Sequence, residues 1–203
     1  AKLSLPRPSP SPSSAEKPGH LRITGGRFRS RILKAPRGDE TRPTSDRVRE
    51  ALFSMLEARG GCAGLRVLDL YAGTGALGLE ALSRGAAHAT FVERRREAVT
   101  ALRANLAALG VAAESRVVAR PIESAGAEIA GPFDLVFADP PYADVQSGAA
   151  TRTLARLFSQ GLFADGAIFV LEHAEKTETP EFPGLEAEAT RSYGDTRLAF
   201  FRK

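Results

Sequence analysis

Tryptophan is absent from the 203 residues, and cysteine and methionine occur once each. A lone Cys62 rules out a disulfide scaffold and any zinc site built from cysteines. The histidines, His20, His88 and His173, are scattered without ligand spacing, so no metal is expected and surface or packing roles suit them. So little cysteine fits a reducing, cytoplasmic compartment. No uncharged stretch approaches the roughly 18–20 apolar residues of a membrane span, and the N-terminus lacks the apolar core of a signal peptide. The expectation is a soluble protein with no membrane partner. What is present is a 43% hydrophobic content over a length that suits one globular domain with a real core, in which Cys62 and Met55 belong.

The net charge of +4 hides an asymmetry. Residues 1–60 hold 13 Lys and Arg against 6 Asp and Glu, whereas the rest of the chain is net acidic. A polyanion would therefore bind the first third. Residues 1–19 are rich in Pro and Ser and poor in large apolar side chains, which predicts a flexible tail outside the fold. From Leu21 onward Arg22, Arg27, Arg29, Arg31 and Lys34 interleave with Ile23, Phe28, Ile32 and Leu33 around Gly25-Gly26, the pattern of a short β-hairpin with a cationic face. Pro43-Thr44-Ser45 then signals a helix start. Val48, Ala51, Leu52, Met55 and Leu56 form its apolar stripe, with Arg47 and Arg49 off it. Residues 20–60 thus read as a basic hairpin and helix ahead of a main domain over 61–203.

In that domain strand and helix patterns alternate: Leu65–Leu70, Ala76–Ser83, Ala89–Val92, Arg95–Leu109, Arg116–Ala119, Ile122–Ile129, Asp134–Ala138, Ala149–Ser159 and Ala167–Leu171. Apolar strands alternating with helices predict an α/β fold, a mostly parallel sheet covered on both faces. Leu185–Tyr193 and Thr196–Lys203, around Gly194-Asp195, break the alternation and predict a terminal hairpin with an antiparallel strand.

The first motif with chemistry is Asp69-Leu70-Tyr71-Ala72-Gly73-Thr74-Gly75-Ala76-Leu77-Gly78, a buried strand running through a glycine turn into a helix. Gly73 and Gly75 let backbone approach a ligand where a Cβ would collide, and Glu93, at the end of the next strand, is placed to accept hydrogen bonds from both hydroxyls of a ribose. A nicotinamide dinucleotide site, an S-adenosylmethionine site and a structural tight turn all fit the glycines alone. Asp69 favours S-adenosylmethionine, because a carboxylate at the strand end repels a pyrophosphate but can address a zwitterionic methionine group.

The second motif is Asp139-Pro140-Pro141-Tyr142, ending a buried strand at the edge where open α/β sheets bind ligands. The prolines stiffen the turn and fix the aromatic that follows. Together the two motifs resemble the amino-methyltransferases that alkylate exocyclic nitrogens of nucleic-acid bases. Such an amine is a poor nucleophile, because its lone pair is delocalised into the ring. Acceptors must orient it, and Asp139 and the Pro140 carbonyl suit that task. Tyr142 would stack on the base, a contact worth about 1–3 kcal/mol. A base inside a duplex could not reach the site, so the substrate nucleotide is flipped out or single-stranded.

Three further stretches narrow the resemblance: Arg22 to Arg31, Arg42-Pro43-Thr44-Ser45-Asp46-Arg47-Val48-Arg49-Glu50-Ala51-Leu52-Phe53, and Leu77-Gly78-Leu79-Glu80-Ala81-Leu82-Ser83-Arg84-Gly85-Ala86. Over residues 21–203 the chain resembles the RsmD family, bacterial methyltransferases of guanine N2 in 16S ribosomal RNA. The resemblance implies the seven-stranded class I methyltransferase fold, S-adenosylmethionine as donor, and the small ribosomal subunit or a late precursor as substrate. By carry-over Asp69, Tyr71, Gly73, Gly75 and Glu93 match the cofactor motifs, and Asp139, Pro140, Pro141 and Tyr142 the catalytic one. After the third strand Ala119-Arg120-Pro121-Ile122 offers no carboxylate for the adenine amine, which leaves backbone atoms and packing by Ile122 to hold that ring. Asp139 suits guanine, and adenine N6 is the alternative target. A catalytically idle assembly factor is the alternative of another class. Arg22, Arg27, Arg29, Arg31, Arg42, Arg47 and Arg49 are the expected RNA contacts, with ordering of the substrate pocket an equal possibility for Arg47 and Arg49. A monomer is expected.

Overall fold

The computed structural model describes residues 21–36 and 45–203. The 1–19 segment and Arg42, Pro43 and Thr44 lie outside the described residues. Five strands, β1 (Arg66–Leu70), β2 (His88–Val92), β3 (Ser115–Val118), β4 (Phe133–Ala138) and β5 (Phe163–Ala174), run parallel. β6 (Glu186–Tyr193) and β7 (Thr196–Arg202) close the chain as an antiparallel hairpin, with β7 antiparallel to β5. The sheet order is β3-β2-β1-β4-β5-β7-β6. This is the Rossmann-like fold of class I S-adenosylmethionine-dependent methyltransferases. The helices are α1 (Asp46–Glu57), α2 (Ala76–Ser83), α3 (Arg96–Leu109), α4 (Ile122–Ala125), α5 (Tyr142–Gln146) and α6 (Ala149–Phe158).

Strand alternation sorts the core into two layers. Val67, Leu135, Phe137, Val170 and Leu198 face α1, α2 and α3, while Leu68, Leu70, Val136, Phe169 and Leu171 face α4 and α6. The second layer is built on phenylalanines: Phe158, Phe163, Phe169, Phe182 and Phe201 meet edge-on, tilted or stacked at centroid distances from 4.7 to 6.3 Å. Each buried Phe contributes roughly 1.5–3 kcal/mol. Ile23, Leu33, Val48, Leu52, Phe53 and Leu56 share the first layer with the sheet, so the basic N-terminal segment and α1 pack on the same core as the strands. Cys62 lies in that layer too, and burial pushes its thiol up to about 12, which leaves it inert.

Several boundaries differ from the sequence pattern for identifiable reasons. The N-terminal hairpin is reduced to one antiparallel bridge, Arg22 to Ile32, around a three-residue 3-10 turn at Gly26–Phe28. The amides of Thr24 and Gly25, which would extend a ladder, donate instead to the Glu80 carboxylate on α2, at 2.7 Å each. The helix predicted over Ile122–Ile129 stops at Ala125 and tightens into a 3-10 turn. β5 extends beyond the predicted Ala167–Leu171 because β4 pairs one flank and β7 the other. α1 starts as predicted, its cap Ser45 accepting from the Val48 amide at 3.2 Å.

Candidate active site

The chain steps outward from β1 to β2 and β3 and then returns to β4 on the other flank of β1. The carboxyl ends of β1 and β4 therefore flank the switch point where open α/β sheets take ligands. Asp69 is the next-to-last residue of β1 and the Tyr71–Gly75 turn follows that strand, Glu93 follows β2, Ile122 opens α4 after β3, and Asp139 to Tyr142 follow β4. The two strand ends are tied together: the Asp139 amide donates to the Leu70 carbonyl at 3.5 Å.

Asp69 is 2% exposed, and its Oδ2 accepts from the Gly78 amide at 2.9 Å. Gly78 is the third residue of α2, so its N–H is one of the donors a helix start leaves unpaired. The carboxyl group thus occupies the helix terminus on which a dinucleotide fold would seat its pyrophosphate, against the nicotinamide reading of the glycines. Burial pushes the Asp69 pKa up to about 8, with the Gly78 hydrogen bond opposing and the Glu93 charge adding. The folded protein therefore retains a proton that the unfolded chain releases near pH 4. The stability this group contributes is complete below that point and is lost as pH rises toward about 8. Urea unfolding at pH 5 and pH 8 should show that decline, and Asp69→Asn should flatten it; an unchanged slope in the variant would assign the decline elsewhere.

The glycines divide by role. A Cβ on Gly75 would lie 2.4 Å from a Leu102 methyl, and one on Gly78 2.3 Å from the Phe91 ring, so close packing on α3 and β2 demands both. A Cβ on Gly73 would find its nearest neighbour 4.0 Å away, so space is open to a ligand over this residue. Tyr71 takes a positive φ of 59° at the turn's entrance. Burial pushes its phenol up to about 12, the charges of Glu123 and Asp144 adding and Arg94 opposing. It is a neutral donor at physiological pH.

Glu93 is 7% exposed, with Oε2 accepting from the Gly73 amide at 2.8 Å and Oε1 from the Arg95 amide at 2.7 Å. Each oxygen keeps a further lone pair, so the carboxylate is fixed yet still able to accept from ribose hydroxyls. An open backbone turn, a fixed carboxylate and a buried carboxyl beside it suit the ribose and charged amine of S-adenosylmethionine. Ile122 is buried among Val118, Ala125 and Ile129.

After β4, Asp139 is partly exposed, Pro140 buried and Pro141 exposed. Tyr142 opens α5, a helix that the sequence pattern does not announce, and its hydroxyl shares a hydrogen bond with Thr196 Oγ1 at 2.8 Å. Thr196 begins β7, so the last hairpin holds the Asp139–Tyr142 turn in place. Sequence reasoning also passes over Glu172. It is 6% exposed, next along β5 from Leu171, which pairs with Ala138, and alternation puts it on the sheet face of Phe137 and Asp139. An acid within a buried strand was the available signal.

The predicted cationic residues separate. Arg22, Arg27, Arg29, Arg31 and Arg47 are exposed, and Arg42 lies outside the described residues. Arg22 pairs with Asp46 at 3.0 Å, Arg27 with Glu114, and Arg31 donates to the Ala108 carbonyl at 3.1 Å. Arg49 requires correction. The pattern sets it off the apolar stripe as a candidate RNA contact, but its side chain is completely buried, bonded to Asp46 at 2.7 Å and to the Arg22 carbonyl, and within 3.4 Å of Glu80. A buried cation needs such partners, and they come from the N-terminal segment and α2. Arg49 therefore holds that segment in place.

A family model described as Conserved hypothetical protein 95 matches residues 21–202. The chain belongs to this family. Among its relatives is ribosomal RNA small subunit methyltransferase D of Escherichia coli K12, 41% identical over 165 residues, covering 81% of this chain and 80% of the relative. The Haemophilus influenzae protein of the same name is 37% identical over 191 residues, covering 89% and 93%. The solved structure of yhhF from Escherichia coli superposes with a TM-score of 0.79 at 37% identity, covering 91% of this chain and 98% of that one. Membership of the Conserved hypothetical protein 95 family thus carries homology to the methyltransferase D proteins over most of both chains. Among the described residues no helix is long and apolar enough to cross a membrane.

Proposed function

We propose that the protein transfers a methyl group from S-adenosylmethionine to the exocyclic N2 of a guanine in small-subunit ribosomal RNA, presented by an assembled subunit or a late precursor. The observation that carries this reading is the meeting of the Asp139-Pro140-Pro141-Tyr142 turn with the Asp69 and Glu93 carboxyl groups at one sheet edge, beside a segment rich in exposed arginine. The activity for which the relatives are named, methylation of small-subunit ribosomal RNA, supports it. When bound, S-adenosylmethionine supplies a methyl carbon made electrophilic by its sulfonium. Glu93 would hold the ribose, Asp69 the methionine amine, Ile122 the adenine ring, and the Tyr71, Gly73 and Gly75 backbone the remainder.

The chain's own task is to place the guanine amine in line, roughly 3 Å from that carbon. Asp139 and the Pro140 carbonyl accept from the N2 hydrogens and favour the pyramidal nitrogen that can attack. As the N2–carbon bond forms and the carbon–sulfur bond breaks, the proton that N2 loses passes to Asp139 and on to water. The Tyr142 ring stacks on the base. Arg22, Arg27, Arg29, Arg31, Arg42 and Arg47 neutralise phosphates, which makes binding salt-dependent. One copy of the chain, in the cytoplasm, suffices.

The test is transfer of labelled methyl to small subunits and naked 16S RNA from a strain lacking the endogenous enzyme, with unmethylated DNA in parallel. N2-methylguanosine in subunit RNA is the expected product. Label on adenine or in DNA would overturn the substrate, and no transfer to any acceptor would overturn the enzyme itself.

A further inference from the structure

The buried face of α3 is apolar at Ala98, Val99, Ala101, Leu102, Leu106 and Leu109, and it carries one amide, Asn105, 2% exposed. Burying an amide among aliphatic side chains is unfavourable unless its hydrogen bonds are made. Both N–H groups and the carbonyl oxygen are paired, to two distant stretches of backbone. Asn105 Oδ1 accepts from the Lys34 amide at 2.7 Å, and Nδ2 donates to the Lys34 carbonyl and to the Thr74 carbonyl, both at 3.1 Å. The side chain pairs with Lys34 as a neighbouring strand would and uses its remaining N–H on the glycine turn.

Those two stretches carry different halves of the proposed reaction. Thr74 lies between Gly73, whose amide is held by Glu93 at 2.8 Å, and Gly75, whose amide closes the turn on the Ala72 carbonyl at 2.7 Å. A ligand settling on Glu93 and Gly73 therefore bears on a turn whose middle carbonyl is fixed by Asn105. Lys34 follows Leu33, which is 4% exposed and anchors the segment bearing Arg29 and Arg31. A shift of the turn reaches that segment through one rigid amide with no intervening flexible side chain.

We propose that Asn105 is a positioning residue that couples the two ligands: ordering of the Gly73–Gly75 turn by the methyl donor orders the arginine-bearing segment, and RNA on that segment returns the favour. Linkage makes the effect reciprocal. The RNA half rests on the function proposed above, whereas the link between turn and segment does not.

Two measurements test it. In the wild-type chain, saturating S-adenosylhomocysteine should slow amide hydrogen exchange in residues 31–36 as well as in the 71–75 turn. Protection confined to the turn would overturn the coupling without involving RNA. Affinity for small subunits should rise about fivefold with S-adenosylhomocysteine in wild type. The rise should vanish in Asn105→Leu and Asn105→Asp, while each still binds S-adenosylhomocysteine alone. The Asp variant keeps an acceptor for the Lys34 amide but no donor for Thr74. Should one variant fail to fold, the other and the exchange experiment still decide. A folded variant that keeps the full rise sinks the proposal, as does a wild-type enzyme that methylates subunits without any rise. A wild type that binds S-adenosylhomocysteine, shows the protection at 31–36 and yet binds no RNA would instead sink the proposed function.

Discussion

Asp139→Ala should lower kcat for methyl transfer by about 10²–10³-fold while leaving S-adenosylhomocysteine and subunit affinity within about twofold of wild type. The reason is local. Asp139 follows the last residue of β4, Ala138, and its amide reaches the Leu70 carbonyl, so the backbone position survives loss of the carboxylate. What is lost is an acceptor needed most as the amine becomes pyramidal, an effect on the transition state more than on binding. Asp139→Asn retains one acceptor oxygen and should fall between the two. Single-turnover rates with preformed subunit complexes separate chemistry from binding. More than a tenth of the wild-type rate in the alanine variant would remove Asp139 from the chemistry, and an equal loss of subunit affinity would make it a binding residue.

The largest effect on stability is expected at Glu80, whose side chain is completely buried on α2. It accepts from the Thr24 amide at 2.7 Å, the Thr24 hydroxyl at 2.8 Å, the Gly25 amide at 2.7 Å and Arg84 Nε at 2.9 Å, with Arg49 Nε at 3.4 Å. Removing one partner of a buried charge cluster costs about 3–5 kcal/mol, because the charges left behind cannot be solvated. Glu80→Ala should therefore lower unfolding free energy by about that amount and expose the Arg22–Lys34 segment to trypsin before global unfolding. Urea denaturation and timed proteolysis read the two effects. A loss under about 1 kcal/mol would show that the segment is held chiefly by Ile23 and Leu33 in the apolar layer.

The same residue illustrates what a sequence conceals. Glu80 sits in Leu77-Gly78-Leu79-Glu80-Ala81-Leu82, where a lone charge in a short helix resembles any solvated position. Its partners Thr24 and Gly25 lie 56 and 55 residues away, and Asn105 reaches Lys34 across 71. No local pattern encodes such pairings. The motifs behave differently: α2 spans Ala76–Ser83 as the periodicity predicts, and Asp69, Glu93 and Asp139 stand where the ends of apolar strands put them. α5 escapes notice because five residues after a double proline are too few to show a helical period.

Fold class and the placing of Asp69, Glu93 and Asp139 at one edge of the sheet were thus determined by sequence alone. Buried strands and glycine turns are local, and a parallel sheet brings all its strand ends to one edge. Tertiary structure decided which charges face outward. Arg47 is exposed while Arg49, two residues along the same helix, is buried against Glu80 and Asp46. The burial of a charge depends on whether another element brings the partners that offset its desolvation, and those partners are assembled only when the chain folds.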